Sequence, residues 1–274
     1  MNKKEIVDSI IERIEIKLQA KNNVYLSDVA EISGYSKRYV QKIFKDIIGM
    51  NVTTYIKRRK LTQAAIILKL TKKKIYHIAL DLNFTTQQSF TRSFLREFHV
   101  TPRDYRNSPE FDCSRLFLVR GNHWGIHNPV KKSINLLKLN VDKFQFQDSL
   151  LNRHYERGYK IKLEKITSIL SMESEAIIVT NISPNSLLEF EVDLISMAGY
   201  IDSVNYNYEV EQKDYWEFEY NGTWCDYIYF GRFFLYFTDV KFVFPVVEFI
   251  RSSGKNRDGE QLYKIRVCLS ILST

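Results

Sequence analysis

The chain has few of the residues that staple, break or anchor a polypeptide. Its 274 residues include three cysteines, Cys113, Cys225 and Cys268, far apart and in no Cys-x-x-Cys or Cys/His ligand spacing. Neither a disulfide framework nor a structural zinc site is expected from them. Five prolines and ten glycines exclude a collagen-like or Pro/Gly-rich low-complexity chain. No apolar run approaches the ~20 residues of a membrane span. The start, MNKKEIVDSIIERIEIK, puts charge into every turn and lacks the apolar centre of a signal peptide. A soluble cytoplasmic protein with no membrane partner is expected. His123 and His127, in HWGIHNP, have the i, i+4 spacing of a helical metal site. The Gly, Asn and Pro around them argue for a loop, no third ligand is near, and neither metal nor cofactor is expected.

Acidic residues are scarce in one half only. Residues 1–108 hold 21 Lys and Arg against 10 Asp and Glu, net +11, and the remainder is net −3, which together give the chain's +8. The basic half suggests a nucleic-acid module, joined to a near-neutral domain of another kind. Within it a pattern occurs twice, with Gly34 and Asn83 at corresponding points 49 positions apart. Leu26–Gly49 and Lys74–Phe98 each read as a short apolar helix, a tight turn and a second helix. Ile6, Ile10, Ile14 and Leu18 predict an amphipathic helix over residues 4–20 ahead of them. Ser27 is a candidate cap for the next helix, with Val29, Ala30 and Ile32 inward. Ser36 caps the helix to Ile48, which buries Val40, Ile43, Phe44 and Ile47. Lys37, Arg38, Gln41, Lys42 and Lys45 then face outward.

In the second copy Asn83, which tolerates a left-handed backbone, replaces the turn glycine. The helix from about Thr86 to Phe98 buries Phe90, Phe94 and Phe98 and presents Gln87, Gln88, Ser89, Thr91 and Arg92. Gln pairs with adenine and Arg with guanine in a major groove, whereas a merely solubilising face favours Glu and Lys. Between the copies, Asn51–Thr71 carries the apolar stripe Leu61, Ala64, Ala65 and Leu68. A helix of that length spans ~30 Å, and successive major grooves on one face of DNA lie ~34 Å apart. One chain can therefore hold two reading heads about one turn apart. The run Lys57-Arg58-Arg59-Lys60 has two open readings: phosphate contact, or a packed and salt-bridged helix surface. Lys45, Arg58, Arg59 and Arg96 are candidates for phosphate contact.

GYSKRYVQKIFKDIIG, YIKRRKLTQAAIILKLT, FTTQQSFTRSFLREF and TPRDYR follow one another across about 100 residues. In that order they resemble the AraC/XylS family of transcription regulators, and within it the MarA/SoxS/Rob group. The resemblance implies seven helices, monomeric binding to asymmetric sites in promoter DNA, and recruitment of RNA polymerase at stress or multidrug-resistance promoters. It also implies that Arg38, Gln41 and Lys42 face the first groove, and Gln87, Gln88, Ser89, Thr91 and Arg92 the second. The second helix keeps the group's Gln-Gln-x-x-Thr-Arg. The first departs from the group, which usually has Trp where Arg38 stands and Arg where Lys42 stands. Lys lacks the bidentate fork of Arg, so a looser first half-site is expected.

Residues 109–120 read as a short linker, and 121–274 as a second domain. Of the chain's 38 aromatic residues, 27 follow residue 108. Period-two alternation marks strands at Leu188–Leu194, Tyr215–Tyr220 and Lys264–Ile271. Helices are expected at about Thr223–Thr238 and near Asp142–Arg157. The fold class is therefore an all-α double helix-turn-helix followed by an α+β domain with a mainly antiparallel sheet. YWEFEYNG, VVEFI and YKIRVCLSIL resemble, in order, the GyrI-like domains of the Rob branch. The resemblance implies a pocket for a lipophilic small-molecule effector, with Glu248 in it. Trp216, Phe218 and Tyr220 are candidate companions. Glu248 is otherwise a solvent-exposed rim residue. Rivals are a GyrI-like hydrolase or a toxin-sequestering or protein-binding domain. An alkyl-transfer repair enzyme would need a Pro-Cys-His-Arg context that none of the three cysteines has.

Overall fold

The computed structural model describes residues 2–19, 24–117, 129–149, 156–183, 191–231 and 240–272. They form two compact units, the first Met1–Lys69, Lys73–Asn107 and Arg115–Asn122, the second Leu70–Lys72, Ser108–Ser114 and His123–Thr274.

The first unit is helical: α1 (Lys3–Gln19), α2 (Leu26–Ser33), α3 (Lys37–Ile48), α4 (Val52–Leu70), α5 (Ile75–Asp81), α6 (Gln87–Phe98) and α7 (Pro102–Asn107). The predicted face of α1 is buried, Ile6, Ile10, Ile14 and Leu18 included, against Val29, Val40, Ile43, Phe44 and Tyr55. Gly34 and Asn83 both adopt positive φ, 71° and 59°. Ser36 Oγ accepts from the Tyr39 N–H at 3.3 Å, as its place before α3 predicts. Ser27 does not cap α2. It lies inside the helix, and the Asp28 carboxylate accepts from the Tyr25 N–H at 2.9 Å. A carboxylate at the third helical position reaches back to the entering chain, which moves the start upstream of the serine. Ile48 is buried and Ile47 only partly so, and the side chain of Ile32 lies outside the described residues. The second turn carries one residue more than the first, so the second helices repeat at an interval of 50 where the turns repeat at 49: Ser36 and Thr86 cap them, and Gly49 and His99 end them in left-handed conformations. Phe84, Phe90, Phe94, Phe98 and Tyr105 form an aromatic ladder under α6, with neighbouring ring centroids 4.4–5.7 Å apart.

The described residues of the second unit form an antiparallel sheet with two helices. Its strands are β1 (Phe111–Asp112), β2 (Val130–Ile134), β3 (Leu137–Ser149), β4 (Ala176–Ser183), β5 (Glu191–Ile201), β6 (Tyr208–Val210), β7 (Lys213–Thr223), β8 (Lys241–Lys255) and β9 (Gln261–Ser270). Helices α8 (Glu156–Leu170) and α9 (Trp224–Gly231) interrupt them. The order is β2-β7-β9-β8-β4-β5-β3-β6, with β1 on β8. β3-α8-β4-β5 and β7-α9-β8-β9 are thus two copies of one strand–helix–strand–strand unit, joined where β4 pairs with β8.

The helix expected near Asp142–Arg157 is corrected. Residues 137–149 are β3, paired with β5 from Leu139↔Ile201 to Ser149↔Glu191, and the helix begins at Glu156. Leu137, Leu139 and Val141 alternate and pack in one cluster, while Phe144 and Phe146 stack with centroids 6.1 Å apart. The predicted strands at Tyr215–Tyr220 and Lys264–Ile271 are β7 and β9, the latter ending at Ser270. They are not half-buried: Tyr215 and Glu217 are buried as fully as Phe218 and Tyr220, and Cys268 and Ser270 are as buried as Val267 and Leu269. Both faces of the sheet centre are covered. The N-terminal part of the expected 188–194 strand and the C-terminal part of the expected 223–238 helix lie outside the described residues, as do His123 and His127. The expected linker is also corrected. Phe111 and Asp112 form β1, and the Cys113 N–H donates to the Val240 carbonyl. Leu116 is buried, and Phe117 is hydrogen-bonded to α4.

Candidate nucleic-acid interface

Helix α3 presents what its periodicity promised. Val40, Ile43 and Phe44 point into the core, so Lys37, Arg38, Gln41, Lys42 and Lys45 are exposed. Helix α6 does the same in the second copy. Its Phe90-Phe94-Phe98 stripe is buried, Gln87, Gln88, Arg92 and Arg96 are exposed, and Thr91 is partly exposed. Ser89 is partly exposed, but its hydroxyl is engaged. It donates to the Thr86 carbonyl at 2.8 Å and accepts from the Thr86 N–H at 3.3 Å, while Thr86 Oγ1 accepts from the Ser89 N–H at 3.0 Å. That reciprocal cap fixes the helix start from which Gln87 and Gln88 project.

One of the four candidate phosphate contacts, Arg59, is corrected. Arg59 is 2% exposed. Its Nε donates to Glu15 Oε1 at 2.7 Å and its Nη2 to Glu15 Oε2 at 2.9 Å, a bidentate pair between α4 and α1. A guanidinium so enclosed cannot reach DNA. Arg58 is half-buried and donates from Nε to Glu97 Oε1 at 2.6 Å. The packed, salt-bridged reading of this run therefore holds for Arg59, while Arg58 is salt-bridged but partly exposed. Lys60 is partly buried too, and burial lowers its pKa. Lys57, Lys45 and Arg96 remain exposed.

Sequence reasoning missed the partners of this core. Tyr55 is fully buried and donates to Glu15 Oε1 at 3.2 Å. Burial, with the Glu15 carboxylate beside it, pushes the Tyr55 phenol far above its usual range. Glu15 had left a signal: it lies on the same helical stripe as Ile11, Ile14 and Leu18, where a lone carboxylate is costly unless paired. Arg106 is held likewise, by the carbonyls of Leu68 and Lys73, and burial lowers its pKa.

In the sheet unit Glu248 is no rim residue. It is 5% exposed, with Lys162 Nζ of α8 at 3.0 Å and the Tyr227 hydroxyl of α9 donating to its other oxygen. Burial, then the Glu248 charge, drives the Tyr227 phenol well above its ordinary pKa. In register, Glu248 stands opposite Val267, and Val267 opposite Phe218, so Glu248 and Phe218 share the face that carries these helices. Trp216 and Tyr220 alternate onto that face with Phe218, and the Tyr220 ring lies 5.3 Å from that of Tyr227. The four predicted pocket residues thus share one face. Glu248, however, is already paired with Lys162, 86 positions away and beyond the reach of any local pattern. Among the described residues no helix is long and apolar enough to cross a membrane.

The family model described as a helix-turn-helix domain matches residues 29–108. The chain is similar to the putative HTH-type transcriptional regulator YkgA of Escherichia coli, 37% identical over 43% of this chain and 48% of that one. It is similar to the regulatory protein SoxS of Salmonella typhimurium, 39% identical over 39% of this chain and 98% of that one. It also matches the transcriptional regulator Rob of that organism, 44% identical over 32% of this chain and 30% of the relative. The match therefore spans nearly all of SoxS, about half of YkgA and under a third of Rob.

Proposed function

Because the chain belongs to the AraC/XylS family of transcription regulators, in its MarA/SoxS/Rob group, we propose that it binds promoter DNA as a monomer, with α3 and α6 in successive major grooves. The observation that carries this reading is the repeated design of the two helices. Each is capped at its start, buried along one apolar stripe, and exposes hydrogen-bonding and cationic side chains opposite. Arg38, Gln41 and Lys42 read the first half-site, and Gln87, Gln88, Thr91 and Arg92 the second, with Ser89 setting the geometry of the second helix. Lys45 and Arg96 hold phosphate. As in its relatives' group, the protein acts in the cytoplasm, recruits RNA polymerase and activates stress or multidrug-resistance promoters. Genome-wide occupancy, followed by footprinting on a purified promoter, tests this. Two protected half-sites one helical turn apart, bound by one chain, are expected. A dimer footprint, or no enrichment, defeats it.

The sheet unit is proposed as a GyrI-like sensor of a lipophilic small molecule. The paired strand–helix–strand–strand units and the carboxylate beneath aromatic rings favour this over a hydrolase or a sequestering domain. A cationic effector would have to displace Lys162 from Glu248. Tryptophan fluorescence during titration with lipophilic cations and their neutral isosteres tests it. The cations are expected to bind more tightly to Lys162→Met than to the unsubstituted chain. Equal binding of cations and isosteres, or none, ends the sensor reading.

A further inference from the structure

Phe117 belongs to the helical unit and is held there by several of its side chains. The Phe117 N–H donates to Thr62 Oγ1 at 2.8 Å, and its carbonyl accepts from Arg59 Nη1. Its ring meets the Tyr55 ring edge-on, with centroids 5.4 Å apart. The Arg58 guanidinium lies over that ring, 4.2 Å from its centroid. Arg58 then donates to Glu97, in the last turn of α6. A continuous line of contacts therefore runs from Phe117 through Arg58 to the second reading helix.

Helix α6 is seated on a single row of rings, Phe90, Phe94 and Phe98. A row along one side fixes depth better than it fixes roll about the helix axis. Base reading requires roll to be held within about 10–20°. The Glu97–Arg58 pair lies off that row, on a part-exposed flank of α6, where a contact resists rolling. Arg58 would be a mobile strut on its own. Stacking on Phe117 selects one rotamer of it.

We propose that Phe117 and Arg58 are positioning residues for α6, setting the roll of that helix and hence selectivity at the second half-site. Neither touches DNA. This rests on the base-reading role proposed for α6. Residues beyond the helical pattern would then tune the reading head that the pattern builds.

The test uses the full chain and duplexes selected from a library randomised in both half-sites. Selectivity at each half-site is measured for Phe117→Ala, Phe117→Trp, Arg58→Gln and Glu97→Gln, below their melting temperatures. Phe117→Ala, Arg58→Gln and Glu97→Gln are each expected to lose roughly tenfold in second-half-site discrimination, the worth of one well-placed base contact. First-half-site preference should be unchanged, Phe117→Trp should retain selectivity, and Arg58→Gln combined with Glu97→Gln should cost no more than either alone. Glu97→Gln keeps the side-chain shape, so it reads the effect even if Phe117→Ala fails to fold. Unchanged selectivity, or equal losses at both half-sites, overturns the inference. If the unsubstituted chain selects no sequence, the base-reading premise itself fails.

Discussion

A guanidinium offers five donors in a rigid fork, and its surroundings decide what the fork can do. Arg92 is exposed on α6. Arg92→Ala should weaken specific binding by about 1–3 kcal/mol and relax preference at one base pair. Fluorescence anisotropy on specific and scrambled duplexes checks this, and equal losses on both would make Arg92 a phosphate contact. Arg59 shares the chemistry but is enclosed by Glu15 and the Phe117 carbonyl. Glu15→Gln keeps the shape and removes the charge, leaving a buried cation uncompensated. It should cost about 3–5 kcal/mol of folding stability, seen as a lower urea midpoint with an unchanged slope. A shift of the size typical of surface substitutions would mean that water reaches Arg59. The cysteines divide in the same way. Cys268 is buried, which pushes its thiol up to about 12, and Cys113 is buried as well, whereas Cys225 is exposed. Mass spectrometry after brief alkylation of the native protein should find Cys225 modified well before the other two.

Elements held together by neighbours in sequence are legible in the sequence itself. The cap Ser36, the turns at Gly34 and Asn83, and the Phe90-Phe94-Phe98 stripe are all local features. The start of α2 was misplaced because Asp28, and not the eye-catching Ser27, satisfies the entering backbone. Strand β3 departs from the expected helix because its partner β5 lies some fifty residues downstream, and pairing at that range overrides local preference. Phe117 carried no signal at all, since an irregular segment has no period to read. Its role yields a prediction about the helical unit. A fragment ending at residue 108 lacks the hydrogen bonds to Thr62 and Arg59 and the ring beside Tyr55. A fragment extended to residue 117 should be more stable by about 1–3 kcal/mol. Thermal melts of the two fragments decide it, and coincident melts would show the segment to be dispensable for folding.

At the scale of the molecule, charge is segregated: net +11 lies in residues 1–108 and net −3 in the rest. Binding driven by phosphate neutralisation releases condensed counterions, so log affinity falls linearly with log salt, by about 0.9 per phosphate neutralised. If the helical unit alone engages DNA, the full chain and a fragment ending at residue 117 should show the same slope on the same duplex, whatever their absolute affinities. The slope should also respond to exposed cations and ignore enclosed ones. Lys45 and Arg96 are exposed, so Lys45→Ala or Arg96→Ala should each reduce the slope by about one and weaken binding to specific and scrambled duplexes alike. Arg58 is spent on Glu97, and Arg58→Gln should leave the slope unchanged while altering second-half-site preference. Titrations across a range of potassium chloride concentrations separate these cases. A steeper slope for the full chain would place basic residues of the sheet unit on the phosphate backbone. A lower slope for Arg58→Gln would return Arg58 to the DNA surface and make its pairing with Glu97 a feature of the unbound protein alone.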